Sequence, residues 1–176
     1  VTARSVPVLR SWVAGETDTG AYMQTNIKIA GDFMLQHPMV AARQTTGQTL
    51  TTANTWYPIT LDVEDIDDDG SNNSRFTVPA GLGGWYDVMG KVAMVPAAAG
   101  TILYCGLTVN TVFINDSYSA ESISAATGYL TADVADMVYL NPGDYLEMRA
   151  QCTAAGKSLS SASAVMPYLK MIWAHR

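Results

Sequence analysis

The hydrophobic period of this chain changes once, near residue 40, and the change divides it into two unlike parts. Between Thr19 and Gln36 the apolar residues Met23, Ile27, Ala30 and Met34 fall at i, i+4, i+7 and i+11, one face of a helix. Thr17, Asp18 and Thr19 are available as N-caps, and His37-Pro38 stops the pattern. Gly31 weakens the helix because glycine loses the most backbone freedom there. The spacing predicts a helix around residues 19–36, roughly four turns long. Ahead of it, Val8 to Val13 is a short apolar run, read as extended. Residues 1–40 are therefore expected to form an N-terminal extension and 41–176 the main domain.

Beyond residue 40 the period is two. From Trp56 to Glu64, Tyr57, Ile59, Leu61 and Val63 take one face. From Trp85 to Val95, Tyr86, Val88, Val92 and Met94 share a face, with Asp87 and Lys91 opposite. Leu103, Cys105, Leu107 and Val109 line up, as do Leu146, Met148, Ala150 and Cys152, and finally Leu169, Met171 and Trp173. Strict alternation means strands with one face in a core. Turn-rich stretches separate them, among them Asp69 to Asn73, Gly81 to Gly84, Pro96 to Gly100 and Asn141 to Asp144. Several short strands with frequent turns indicate an all-β sandwich or barrel.

At 176 residues the chain supports one such sandwich and a modest extension. Hydrophobic residues make up 48% and charged residues only 15%, so much of the surface is neutral, as in a protein that hides surface in an assembly. The formal charge is −6 and the ten basic residues are scattered, which argues against nucleic acid as a partner. No apolar run approaches the ~20 residues of a membrane-spanning helix, and Val1 to Arg10 lacks the apolar core of a signal peptide. The two cysteines both lie on the apolar phase of their strands and read as buried free thiols.

Catalytic chemistry finds little to work with. His37 abuts Pro38 and His175 is the penultimate residue, so neither is placed for a nucleophile-base pair. Glu64, Asp65, Asp87, Asp144 and Glu147 could supply a carboxylate pair, but nothing in their spacing joins two of them. Gly81 to Gly84 leads into a strand, not a phosphate-binding helix. The expectation is a non-enzyme with no catalytic residues and no cofactor.

An ordered set of motifs runs through the main domain. Trp56 leads into an acidic stretch, Asp65 to Gly70; then come Ser74-Arg75-Phe76-Thr77-Val78-Pro79, a glycine-rich stretch and Trp85-Tyr86-Asp87-Val88. Later Leu140-Asn141-Pro142-Gly143-Asp144-Tyr145-Leu146-Glu147 opens a strand. Over residues 42–174 this resembles the C1q/tumour-necrosis-factor-like jelly roll, in which F-T-V-P…G-x-Y and L…G-D-x-(apolar)-x openings recur. One departure is that the single glycine before the aromatic is spread over Gly81-Leu82-Gly83-Gly84, implying a shifted or bulged strand start. Arg10 to Glu16 and Tyr22 to Ile27 resemble the leader of proteins carrying this domain in tailed bacteriophages.

The resemblance implies an all-β, two-sheet jelly-roll sandwich of ten strands that assembles as a homotrimer. Tyr104, Tyr129, Tyr139, Tyr168 and Ile172 are large groups outside the best core phases or at strand ends, and are the expected trimer-interface residues. Some C1q-like domains hold calcium in acidic loops, which makes Asp65, Asp67 and Asp69 possible ligands. The EF-hand pattern fails, because Phe76 stands where a bidentate Glu is needed, and a plain solvated loop is the other reading.

The expected function is a virion structural protein of a tailed phage, a capsid decoration or tail-associated protein assembled in the host cytoplasm. Its N-terminal segment would dock onto other virion proteins through Trp12, Val13, Met23, Ile27 and Met34. The alternative within the same segment is that the helix folds back on its own sandwich. A different class of function is a receptor-binding or carbohydrate-recognition module, with Tyr118, Tyr129 and Trp85 as residues that stack on a host glycan. A hydrolase is the third reading.

Overall fold

The structure is a computed structural model that describes residues 20–23, 27–35, 37–67, 74–95, 99–124, 128–162 and 165–175. Alternating residues close into two antiparallel five-stranded sheets that share one core. The first sheet has the order β4 (Val63–Asp67), β1 (Met39–Arg43), β12 (Tyr168–His175), β6 (Gly84–Met94), β9 (Leu130–Leu140). The second runs β3 (Tyr57–Pro58), β10 (Tyr145–Cys152), β7 (Ile102–Val109), β8 (Val112–Ser122), with β5 (Phe76–Thr77) also paired to β10. A small two-stranded sheet joins β2 (Thr49–Leu50) to β11 (Lys157–Ser158). The expected all-β two-sheet sandwich is what forms.

The core takes the residues that the period singled out. Tyr86, Val88, Val92 and Met94 of β6 and Leu169, Met171 and Trp173 of β12 face inward from the first sheet. Leu103, Cys105 and Leu107 of β7 and Leu146, Met148, Ala150 and Cys152 of β10 meet them from the second. Each large aliphatic side chain so buried contributes about 1.5–3 kcal/mol relative to exposure. Both cysteines are buried free thiols.

Two expectations need correction. The stretch Trp56 to Glu64 is not one strand: β3 belongs to the second sheet and β4 to the first, and Ile59 and Leu61 are buried where the chain crosses between them. Asp65 and Asp67 are therefore strand residues rather than loop residues. Within the expected helical range 19–36 the described residues include α1 (Gly20–Met23) and α2 (Ile29–Leu35), with Ile27 and Lys28 in a wider π turn.

Helix α2 rests on the end of the first sheet. Phe33 is buried, its ring edge-on to Trp173 with centroids 5.1 Å apart. The glycine-rich strand start resolves in the same region. Gly84 opens β6 directly before Trp85-Tyr86, and a Cβ there would lie 2.4 Å from the carbonyl oxygen of His175. Only glycine permits that approach of two backbones. Leu82 is tucked into the core, and its carbonyl accepts the Tyr86 hydroxyl at 2.5 Å.

Candidate binding surfaces

Each sheet has an outer face, and the two faces differ in chemistry. On the first sheet the register sets Trp85 beside Tyr139, Asp87 beside Met137, and Met89 beside Ala135. Across β12, Ile172 pairs with both Asp87 and Met39, while Lys170 pairs with Met89 and Ala41. Trp85, Met89, Met137 and Tyr139 are 37%, 47%, 51% and 50% exposed. The result is an apolar band across four neighbouring strands, with Asp87 and Lys170 set within it. Charges gather at one margin: Lys91 pairs in register with Asp133 and lies over the Tyr168 ring at 5.1 Å, and Arg43 is ion-paired to Asp65 at 3.1 Å. A contiguous exposed apolar patch of this kind marks an interaction surface more often than isolated exposed residues do.

On the second sheet an open groove of about 660 Å³ lies over β7 and β8. Trp56, just before β3, forms one wall, its ring 4.7 Å from Phe113 and 6.1 Å from Tyr104, centroid to centroid. Ile114, Asn115, Asp116, Tyr118 and Gln151 complete the described lining. The hairpin from β7 to β8 turns at Asn110 and Thr111, with φ of 50° and 70°, the conformation of a two-residue turn. Past that turn the pairing slips.

The residues expected from sequence are divided among these surfaces. Tyr139, Tyr168 and Ile172 share the outer face of the first sheet. Tyr104 lies on the opposite sheet against Trp56, and Tyr129 is exposed just ahead of β9. Of the three proposed sugar-stacking residues, Tyr118 lines the groove and Trp85 packs on Tyr139 at 5.5 Å. In the N-terminal segment Met23 and Ile27 are exposed. Trp12, Val13 and the side chain of Met34 lie outside the described residues, as does Asp69. Asp65 is engaged with Arg43, and among the described residues no three His, Cys, Asp or Glu side chains converge as a metal site. His37 packs edge-on to Trp173, and His175 is tilted against Trp85.

One acidic side chain joins the turns at the end of the sandwich. The carboxylate of Asp144 accepts the Asn110 side-chain amide at 2.7 Å and the Asn141 backbone amide at 2.8 Å. The Asn110 bond first, and then Asn141, hold its carboxyl below the usual carboxylate range. At the opposite pole of reactivity, burial and then the charge of Asp133 push the Cys105 thiol up to about 12, which keeps it protonated and inert.

Solved structures with this arrangement of strands include three animal proteins. The globular domain of zebrafish complement 1qA aligns over 79% of this chain and 98% of its own, at 12% identity and a TM-score of 0.56. Murine APRIL covers 79% of this chain and 100% of its own at 11% identity, with a TM-score of 0.57. The Eiger TNF of S. frugiperda covers 78% and 93% at 14% identity, with a TM-score of 0.54. The fold is a C1q/TNF-like jelly roll. No family model and no curated protein sequence matches the chain. At such low identity the shared feature is the backbone arrangement, and the outer faces described above are this chain's own.

Proposed function

We propose that this chain is a non-enzymatic assembly protein whose jelly roll self-associates as a homotrimer through the outer face of the first sheet. The observation that carries the reading is the apolar band of Trp85, Met89, Met137, Tyr139 and Ile172 on an otherwise complete sandwich. A second copy is the natural cover, because the band is broad, carries only Asp87 and Lys170 as opposite charges within it, and is flanked by charges of both signs suited to a rim. The C1q/TNF-like resemblance favours the number three; the exposed apolar band favours this face. Light scattering on the purified chain should give three times the 18.8 kDa chain mass. Met89→Glu with Met137→Glu should reduce it to the single-chain mass while the far-ultraviolet spectrum is kept. A wild-type protein that remains monomeric at high concentration would overturn the proposal.

The finer reading is a virion structural protein of a tailed phage, capsid decoration or tail-associated. It rests on the leader resemblance in residues 10–27 and on the exposure of Met23, Ile27 and Leu35 in a segment anchored by Phe33 alone among its described side chains. Such a segment has apolar surface to offer other virion proteins. Antibody against the purified chain should decorate tailed particles in electron micrographs of a lysate. Labelling that never coincides with particles removes the virion role and leaves the trimeric module standing.

A further inference from the structure

The groove on the second sheet is built by a local break in the β7–β8 ladder. Thr108 pairs with Phe113 and Gly106 with Tyr118, so five steps along β8 answer two steps along β7. The surplus residues form an enlarged bulge, and Asp116 within it takes φ of 63°, unusual for a residue with a side chain. The bulge is pinned from inside: Ser117 is buried and its hydroxyl donates to the Asp136 carboxylate of β9. With Ser117 held inward, Asn115 and Asp116 line the groove. Backbone strain held in place by a buried hydrogen bond is the pattern found at ligand sites.

The floor and walls are apolar. Gly106 lies against the aromatic residues: a Cβ there would lie 3.0 Å from the Phe113 ring, 3.3 Å from Tyr118 and 3.4 Å from the Trp56 ring. Its missing side chain lets the three aromatic residues converge. Polar groups at the margin are the carboxamides of Asn115 and Gln151, the carboxylate of Asp116 and the tyrosine hydroxyls of Tyr104 and Tyr118. Among the described residues no Lys, Arg or His lines the groove.

We infer that this groove is a binding site for a neutral oligosaccharide. A sugar ring presents an apolar C–H face and an equatorial belt of hydroxyls. Trp56, Phe113 and Tyr118 match the first, as flat rings whose bodies are apolar. Asn115, Gln151 and Asp116 match the second, since a carboxamide both donates and accepts and a carboxylate accepts from two neighbouring hydroxyls. Among the described residues the lining has one negative charge and no positive one, which selects against sialylated, uronic or phosphorylated glycans. The volume of about 660 Å³ falls within the range of small-ligand sites. This role lies beyond assembly and uses the opposite sheet from the proposed self-association face.

The test is saturation-transfer NMR on the whole chain with maltotriose, cellotriose, chitotriose, mannotriose and sialyllactose as probes. At least one neutral trisaccharide should receive saturation, strongest on the ring C–H protons of one face. Tyr118→Ala, at an exposed position, should weaken that binding about tenfold. Gly106→Val, which pushes Phe113, Tyr118 and Trp56 apart, should abolish it. Mass by light scattering, read alongside, should stay as in the wild type for Tyr118→Ala, so loss of sugar binding is distinguishable from failed assembly. The inference is overturned if no neutral probe is bound, if sialyllactose is preferred, or if Tyr118→Ala binds like the wild type.

Discussion

Replacing Asp144 by Asn should destabilise the fold by about 2 kcal/mol at neutral pH, and the loss should disappear in acid. The magnitude follows from the partners. Asp144 Oδ1 accepts from Asn110 Nδ2 at 2.7 Å, and Oδ2 accepts from the Asn141 backbone amide at 2.8 Å and its side-chain amide at 3.2 Å. Asn110 Oδ1 in turn accepts the Tyr145 amide at 3.1 Å, so one carboxylate ties the β7–β8 turn to the start of β10. Asparagine keeps the shape, but its amino end must point at a donor, and charge assistance is lost on every bond. Hydrogen bonds to a charged group contribute ~1.5–3 kcal/mol each at best. These partners are solvent-exposed, so their sum is discounted to about 2 kcal/mol. For a chain of this size that lowers Tm by roughly 4–8 °C. The folded-state pKa is depressed, so the carboxylate's contribution is present above the unfolded value of about 3.9 and lost as pH falls through the folded value. Melts of both proteins by circular dichroism, at equal concentration because assembly shifts Tm, should show the gap at pH 7 and its narrowing as the pH falls below the ordinary carboxylate range. Equal Tm values at pH 7 would refute the clasp, and a gap that persists in acid would refute its electrostatic origin.

Three further outcomes are expected. Asp62→Ala should cost about 1 kcal/mol in urea unfolding at pH 7. The Thr46 hydroxyl first, then the Thr45 amide and hydroxyl, lower its carboxyl to about 2, so this loss too should fade as pH falls through that value. Neither Cys105 nor Cys152 should react with a disulfide reagent at pH 8 in the folded protein, while both should react in denaturant; rapid labelling of native protein would contradict their burial. Phe33→Ala should release α2 from Trp173 and speed hydrogen exchange over residues 29–35, with little change in global Tm. A large fall in Tm would instead make the helix part of the cooperative core.

How far the sequence reveals this molecule depends on whether neighbouring residues along the chain share one environment. Strand β10 was legible because Leu146, Met148, Ala150 and Cys152 are all buried and the residues between them are not. The crossing from β3 to β4 was not, since Tyr57, Ile59, Leu61 and Val63 keep alternating while the chain passes from one sheet to the other. Period reports burial, and burial is conserved across the end of a sandwich. Strand β9 shows Leu130, Ala132, Val134, Val138 and Leu140 in phase, but Asp136 occupies an inward place and interrupts the pattern. That aspartate is the acceptor for Ser117, the buried residue that interrupts β8 in turn. The two irregularities hidden from the sequence are thus partners, and together they hold the bulge that shapes the groove. Its aromatic walls come from Trp56, Phe113 and Tyr118, which no local pattern connects. What brings them together is a slip of register between β7 and β8, and such a slip is a property of two strands at once. Fold class can therefore be read from one strand at a time, whereas the site proposed here exists only in the pairing.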